Sequence, residues 1–319
     1  MKAMIYQEYG SPDALNVANV EEPEVGNTQI KIQVRATSVS AADIHMRQAD
    51  PFAVRLFNGL ITPKRQILGT EFSGEIVAIG NQVKKFAIGE RVFGGAGTGM
   101  GANAEFLVLD ESAAIAKIPN GLTFEQAAAI PFGATASLYF LHHKIELKAG
   151  QRILINGAGG ALGCYGVQLA RYKGAEVVAI CRDDKRELLL QLGAKKTWDY
   201  SKVQVSEMNE RFDVVYDTHG SLKYAECEHL LTEKGIWISA AGGVSDFARM
   251  MILKLFGKRQ MVAGLAIETQ SDMNYLKRLV ETGDLVPVID SVYDLDDLVA
   301  AHRYVEKGHK TGCVVIRVS

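Results

Sequence analysis

Ile153-Leu-Ile-Asn-Gly-Ala-Gly-Gly-Ala-Leu-Gly163 decides how this chain is read. An apolar run passes straight into a glycine-rich turn, and the residues from Ala161 onward read as a helix. That is the layout of a dinucleotide-binding βαβ unit. Glycines let the backbone approach a pyrophosphate, and the helix N-terminus offers unpaired N–H groups and a partial positive charge. Gly157, Gly160 and Gly163 recur every third residue, so the motif is GxxGxxG and not the strict GxGxxG. Glycine-rich turns also serve as plain connections. The position of the motif therefore carries more weight than its letters.

Around it, from about residue 126, strands and helices alternate. Strands are expected at Arg152–Asn156, Glu176–Cys181, Phe212–Asp217 and Gly235–Ala240, with helices at Ala161–Lys173 and Lys185–Leu192, the latter ending at Gly193. Such alternation predicts a doubly wound parallel sheet whose ligand sits at the carboxyl ends of the strands. Gly157–Gly163, Cys181–Lys185, Asp217–Gly220 and Ala240–Gly243 then surround one crevice. In front of this region, Ile30-Lys-Ile-Gln-Val-Arg-Ala alternates apolar and polar residues, and Gly74–Gly80, Glu90–Phe93 and Ala104–Leu109 read as further strands. That half predicts a partly open β-barrel. Beyond residue 268 we expect one helix, Met273–Glu281, and closing strands at Pro287–Asp290 and Cys313–Val318, returned to the first domain. The boundaries are thus 1–125, 126–268 and 269–319, with an active site expected in the cleft between the domains.

Composition sets limits. The chain has 319 residues, 48% hydrophobic and 23% charged, with a net charge of -2. That is ordinary globular composition, with no electrostatic footprint for nucleic acid or anionic lipid. No apolar run approaches the ~18 residues of a membrane span, and the N-terminus lacks a signal-peptide core. Cys164, Cys181, Cys227 and Cys313 are scattered without a CxxC pair, which suits reduced thiols and a cytoplasmic protein.

The order, a β-rich half followed by a nucleotide unit near residue 150, resembles the medium-chain dehydrogenase/reductase superfamily. Leu68-Gly-Thr-Glu-Phe-Ser-Gly-Glu-Ile-Val-Ala-Ile-Gly80, Gly89-Glu-Arg-Val-Phe93, Ala127–Ala136, Leu192-Gly-Ala194 and Val288–Leu298 match its pattern across essentially the whole chain. Within it the chain is most similar to the zinc-free quinone oxidoreductases, including the chloroplast-envelope type. The resemblance implies a GroES-like first domain and a Rossmann second domain. Zinc-dependent members take catalytic ligands at the positions of Ser40 and Thr70, and hydroxyls are not usual zinc ligands. They also carry four cysteines for a structural zinc in the loop after Val92, where Phe93–Ala104 has none. No metal is expected.

The resemblance assigns the coenzyme to Gly157, Ala158, Gly159, Gly160, Ala161, Leu162 and Thr135. Gly242 and Leu265 then lie near the nicotinamide, with His219 and Gly220 on the adenosine side. In NAD-specific relatives the second strand ends in an acid that binds the ribose hydroxyls. Here it ends in Cys181 and Arg182, and Lys185 and Tyr200 match positions that hold a 2′-phosphate, so NADPH is expected. Asp183 and Asp184 argue the other way. A methyltransferase would want an acid at that strand end, a short-chain dehydrogenase a Tyr-x-x-x-Lys pair, and a P-loop a Gly-Lys-Ser/Thr; the chain has none of these.

Without a Lewis acid nothing obvious lowers an alcohol's pKa, whereas reducing a quinone or an enone yields a delocalised anion. The expected reaction is hydride transfer from NADPH to such a small electrophile, with Ser40, Asp43, His45 and Thr70 on the floor of the site and His45 the candidate proton donor. The rivals are a zinc-free NADP-dependent alcohol or aldehyde oxidoreductase and an NADPH-binding sensor without turnover. A monomer or homodimer is expected, with no nucleic acid and no membrane. Two segments stay open. Pro51–Arg65 lies where the superfamily's substrate loop runs, with Phe52, Leu56 and Phe57 as an apolar wall. Phe247–Arg259 reads as a helix with interspersed cations, core-facing by default.

Overall fold

Ile30, Ile32, Val34 and Ala36 are fully buried while Lys31, Gln33 and Arg35 between them are only half-buried. This is the period of two that a one-sided strand imposes. The strand belongs to a computed structural model that describes residues 1–240, 249–250 and 260–318. The chain separates into two units, Met1–Phe132 with Glu268–Ser319, and Gly133–Ile267.

The first unit opens with the antiparallel pair β1 (Lys2–Tyr6) and β2 (Leu15–Asn19). It continues through β3 (Gln29–Val39), α1 (Ala41–Gln48), α2 (Ala53–Asn58), β4 (Glu71–Ile79), β5 (Arg91–Gly95), β6 (Phe106–Asp110), β7 (Ile115–Lys117) and α3 (Phe124–Ala128). Long β3 divides its pairing. Its first half, Gln29–Gln33, pairs with β6, while its last residues pair with a strand from the end of the chain. Beyond that split edge the sheet continues on the other side through β4, β5 and β7.

Helix α4 (Pro131–Leu138) begins in the first unit and continues into the second, where β8 (Arg152–Asn156), α5 (Ala161–Tyr172), β9 (Glu176–Cys181), α6 (Arg186–Leu192), β10 (Lys196–Asp199), β11 (Phe212–Asp217), α7 (Tyr224–Cys227), β12 (Leu231–Ser239) and β13 (Gln260–Ala263) follow. The strands are parallel in the order β10-β9-β8-β11-β12-β13. This is the doubly wound arrangement whose order reverses next to the first strand. After their first residues β8 and β9 are buried throughout, because a parallel sheet covered on both faces has no solvent side. Leu154, Val178, Phe212, Val215 and Trp237 form part of the core.

The tail returns to the first unit as α8 (Gln270–Glu281), β14 (Ile289–Asp294), α9 (Leu298–Glu306) and β15 (Cys313–Arg317). Two expectations are corrected here. The strand expected at Pro287–Asp290 runs on to Asp294, and the second tail helix, α9, was not foreseen. Its signal was present: Leu298, Ala301, His302 and Val305 are buried at helical spacing. Strand β12 likewise starts four residues before the expected Gly235.

Helix α9 is locked to α1. The guanidinium of Arg47, wholly buried, pairs with Glu306, donates to Gly10 O and reaches His302 Nδ1 at 3.4 Å. Burial, then the Arg47 charge, pushes His302 down to about 3, so its ring is neutral. The helix expected at Phe247–Arg259 lies outside the described residues, Arg249 and Met250 excepted. Among the described residues no helix is long and apolar enough to cross a membrane.

Candidate functional site

The glycine turn lies at the carboxyl end of β8. Gly157 has φ +70°, a backbone that a side chain rarely adopts, and Gly160 is the N-cap of α5 with no side chain capping it. At Gly163 a methyl group would stand 2.3 Å from Gly157 O, so helix and turn could not close. Ala158 N–H donates to Ile180 O at 3.1 Å and ties the turn to β9. Ala161 and Leu162 form the first turn of α5, whose leading N–H groups and dipole suit a phosphate.

Cys181, buried, ends β9. Burial, then Asp199, pushes its thiol up to about 11, so it stays protonated. Lys185 is also buried, and its stem crosses Gly159 so closely that a methyl there would meet Lys185 Cδ at 2.4 Å. Tyr200 N–H donates to Cys181 O at 3.2 Å, which puts the exposed Tyr200 beside the strand end. Arg182 Nε lies 3.6 Å from Asp184 Oδ1, and Lys202 Nζ lies 3.5 Å from Asp183 Oδ2. Both acids that argued against a 2′-phosphate are therefore paired with cations.

Across the reversal point, Asp217 at the end of β11 accepts Asn156 Nδ2, His219 N–H and Gly220 N–H on Oδ1, and Leu222 N–H on Oδ2. His219 is exposed on the loop this carboxylate shapes. Sequence reading placed the Asp217 segment at the crevice without giving that side chain a part. Thr135 is buried on α4, and Leu265 is 89% exposed after β13. Gly242 lies outside the described residues. The structure thus gathers the turn, Cys181, Arg182, Lys185 and Tyr200 at adjacent strand ends. The uncapped helix start and the backbone-only approach at Gly157 fit the diphosphate of a dinucleotide, and the cations around Cys181 fit a further phosphate.

A second cluster is built in the first unit. Ser40 caps α1, and Asp43 is the reciprocal partner of its capping box. Asp43 is fully buried: Oδ2 accepts Ser40 N–H at 2.8 Å and Ser40 Oγ–H at 2.6 Å, and Oδ1 accepts Gly69 N–H at 2.8 Å. Burial raises its carboxyl against the pull of these donors. Thr70 Oγ1 lies 3.1 Å from Ser40 Oγ and is only half-buried. A string of three groups therefore runs from a buried carboxyl to an accessible hydroxyl. His45 is exposed on α1 and makes no hydrogen bond to the string.

Glu71 carries no role in the sequence reading. It is fully buried, accepts Ser38 Oγ–H on Oε1 and Phe132 N–H at 2.7 Å on Oε2. Burial lifts its carboxyl to about 8, against those two donors and with help from Asp43 and Glu268. At neutral pH it holds a proton. Among the described residues no three His, Cys, Asp or Glu side chains are grouped to hold a metal ion.

Comparison with known proteins agrees with this architecture. A family model described as an alcohol dehydrogenase GroES-like domain matches residues 26–120, and one described as a zinc-binding dehydrogenase matches 192–316. The chain is 30% identical to 2-methylene-furan-3-one reductase of Solanum lycopersicum, over 99% of this chain and 79% of that protein. It is 28% identical, with the same coverage, to the chloroplastic NADPH-dependent alkenal/one oxidoreductase of Arabidopsis thaliana. The solved structure of the quinone oxidoreductase from Coxiella burnetii superposes with a TM-score of 0.90 at 28% identity, covering 100% of this chain and 99% of that one.

Proposed function

The chain belongs to the medium-chain dehydrogenase/reductase superfamily and is an oxidoreductase, and from that premise we propose an NADPH-dependent, zinc-independent reductase of quinones or α,β-unsaturated carbonyls. The observation that carries the reading is the hydroxyl pair Ser40–Thr70. It occupies the two positions from which zinc-dependent members draw ligands, and its oxygens are committed to one another and to Asp43.

When bound, the coenzyme supplies the hydride. The residues Gly157–Leu162 seat the diphosphate on the start of α5, while Lys185, Arg182 and Tyr200 hold the 2′-phosphate. Thr135, Gly242 and Leu265 are assigned to the nicotinamide end. With Ser40 held on Asp43, Thr70 turns its hydroxyl from Ser40 to the oxygen on which negative charge develops and relays to it a proton from solvent. His45, solvent-facing, serves the same proton from water. No group in this set drives an alcohol to its alkoxide, which separates reduction of a conjugated acceptor from alcohol oxidation.

The test is NADPH oxidation across a panel of quinones, enones and aldehydes, each with and without a metal chelator. Turnover of conjugated acceptors that survives chelation is expected. Loss of all turnover on chelation, or turnover confined to simple alcohols with NADP⁺, would overturn the reading.

A further inference from the structure

We propose that Lys202 sets coenzyme choice by masking two carboxylates, Asp183 and Asp199, that flank the place of the 2′-phosphate. The proposal rests on the NADPH reading above and goes to a residue that reading does not use.

The strand end lacks the acid of NAD-specific relatives, but the space around it is not free of acids. Strand β10 runs parallel to β9 with Asp199 opposite Cys181. Asp183 begins the turn that follows Arg182. A carboxylate missing from one strand end thus stands at the next one. Each such charge repels a phosphate dianion that Cys181 alone would admit.

Lys202 answers both. Its Nζ lies 3.5 Å from Asp183 Oδ2 and 3.5 Å from Asp199 Oδ2, bridging the two acids. Asp199 is held for this by Ser201, whose N–H and Oγ–H donate to Oδ1 at 2.9 and 2.7 Å, leaving Oδ2 to the ammonium. Lys202, Cys181, Asp183, Arg186 and Asp199 line one cavity of about 220 Å³. The thiol of Cys181 registers the acids, since after burial Asp199 is the largest influence raising it. With Arg182 paired to Asp184, each of these three acids is paired to a cation, two of them sharing Lys202.

The arrangement does little for the fold. Lys202 is 66% exposed, and ion pairs of this length at a surface add little to stability. Its consequence lies with a ligand bearing two negative charges, for which an unmasked carboxylate nearby costs on the order of tenfold in affinity.

Coenzyme fluorescence titrations give affinities for NADPH and NADH separately from turnover. They would be run on the wild type, Lys202→Met, Lys202→Arg, and Lys202→Met combined with Asp183→Asn and Asp199→Asn. Lys202→Met should weaken NADPH about tenfold and leave NADH within about twofold; Lys202→Arg should keep the wild-type ratio. The triple variant should recover most of the lost NADPH affinity, since the lysine has nothing left to mask. Unchanged selectivity in Lys202→Met, or a triple variant as weak as the single one, overturns the proposal while leaving the NADPH reading intact. A wild type that prefers NADH removes both.

Discussion

The glycine turn of the second unit and the Ser40–Thr70 cluster of the first solve different problems with different material. The turn offers the proposed coenzyme backbone, so what matters is which side chains are missing. Gly157 has a positive φ, and Gly163 has room for nothing larger than hydrogen. The cluster proposed to face the substrate is made of side chains, and these come from separate places: Ser40 and Asp43 from one end of α1, Thr70 from the residue before β4. A backbone site is written in consecutive letters. A side-chain site is assembled by tertiary packing, and no short stretch of sequence contains it.

If the contrast holds, the turn should be the more brittle of the two. Gly163→Ala brings a methyl against backbone that cannot yield, so NADPH affinity in fluorescence titration should fall by at least ~100-fold, with a lowered melting temperature. Gly159→Ala meets only the flexible stem of Lys185, and a loss of no more than about tenfold with an unchanged melt is expected. Equal effects would erase the distinction drawn here.

The cluster is sharpened by pH. Glu71 keeps its proton up to about 8 in the folded chain, against an ordinary value of 4.5. Between those values the folded state binds the extra proton, so rising pH removes stability through this group. Glu71→Gln should flatten that slope, gaining on the order of 2 kcal/mol over the wild type between about pH 5 and pH 8 in urea unfolding. A wild-type curve parallel to the variant's would show that Glu71 is ionised at neutral pH.

Smaller effects divide the two regions by what they leave untouched. Cys181→Asp places a carboxylate at the strand end and should move the NADPH/NADH affinity ratio about tenfold toward NADH, with kcat for either coenzyme nearly preserved. Thr70→Val should do the reverse: kcat down about fivefold on an enone, coenzyme affinity the same. A Thr70→Val enzyme with wild-type kcat would leave the protonation to water alone.

How much of this was legible follows from the same contrast. Strands β8 and β9 and helix α5 lie where the sequence put them, α5 ending one residue short of expectation, because periodicity and glycine punctuation are local signals. Helix α9 was passed over although its buried residues keep helical spacing, since the acidic run before it reads as loop. Nothing in the sequence singled out Glu71. What raises its carboxyl is burial, with Asp43 and Glu268 adding to it against the donors Ser38 and Phe132, and these surroundings are invisible in a linear reading. The pairing of Asp183 and Asp184 with cations was equally hidden, although one partner is a near neighbour in sequence.

The lock between Arg47 and Glu306 carries a consequence for biosynthesis. The half of the chain that leaves the ribosome first cannot finish first: it waits for β14, β15 and α9, and until they arrive the last residues of β3 present an open edge. The nucleotide unit is continuous in sequence and can mature while its neighbour is still being translated. In a nascent chain the order of completion is therefore inverted, and the exposed β3 edge is where chaperone protection would count most.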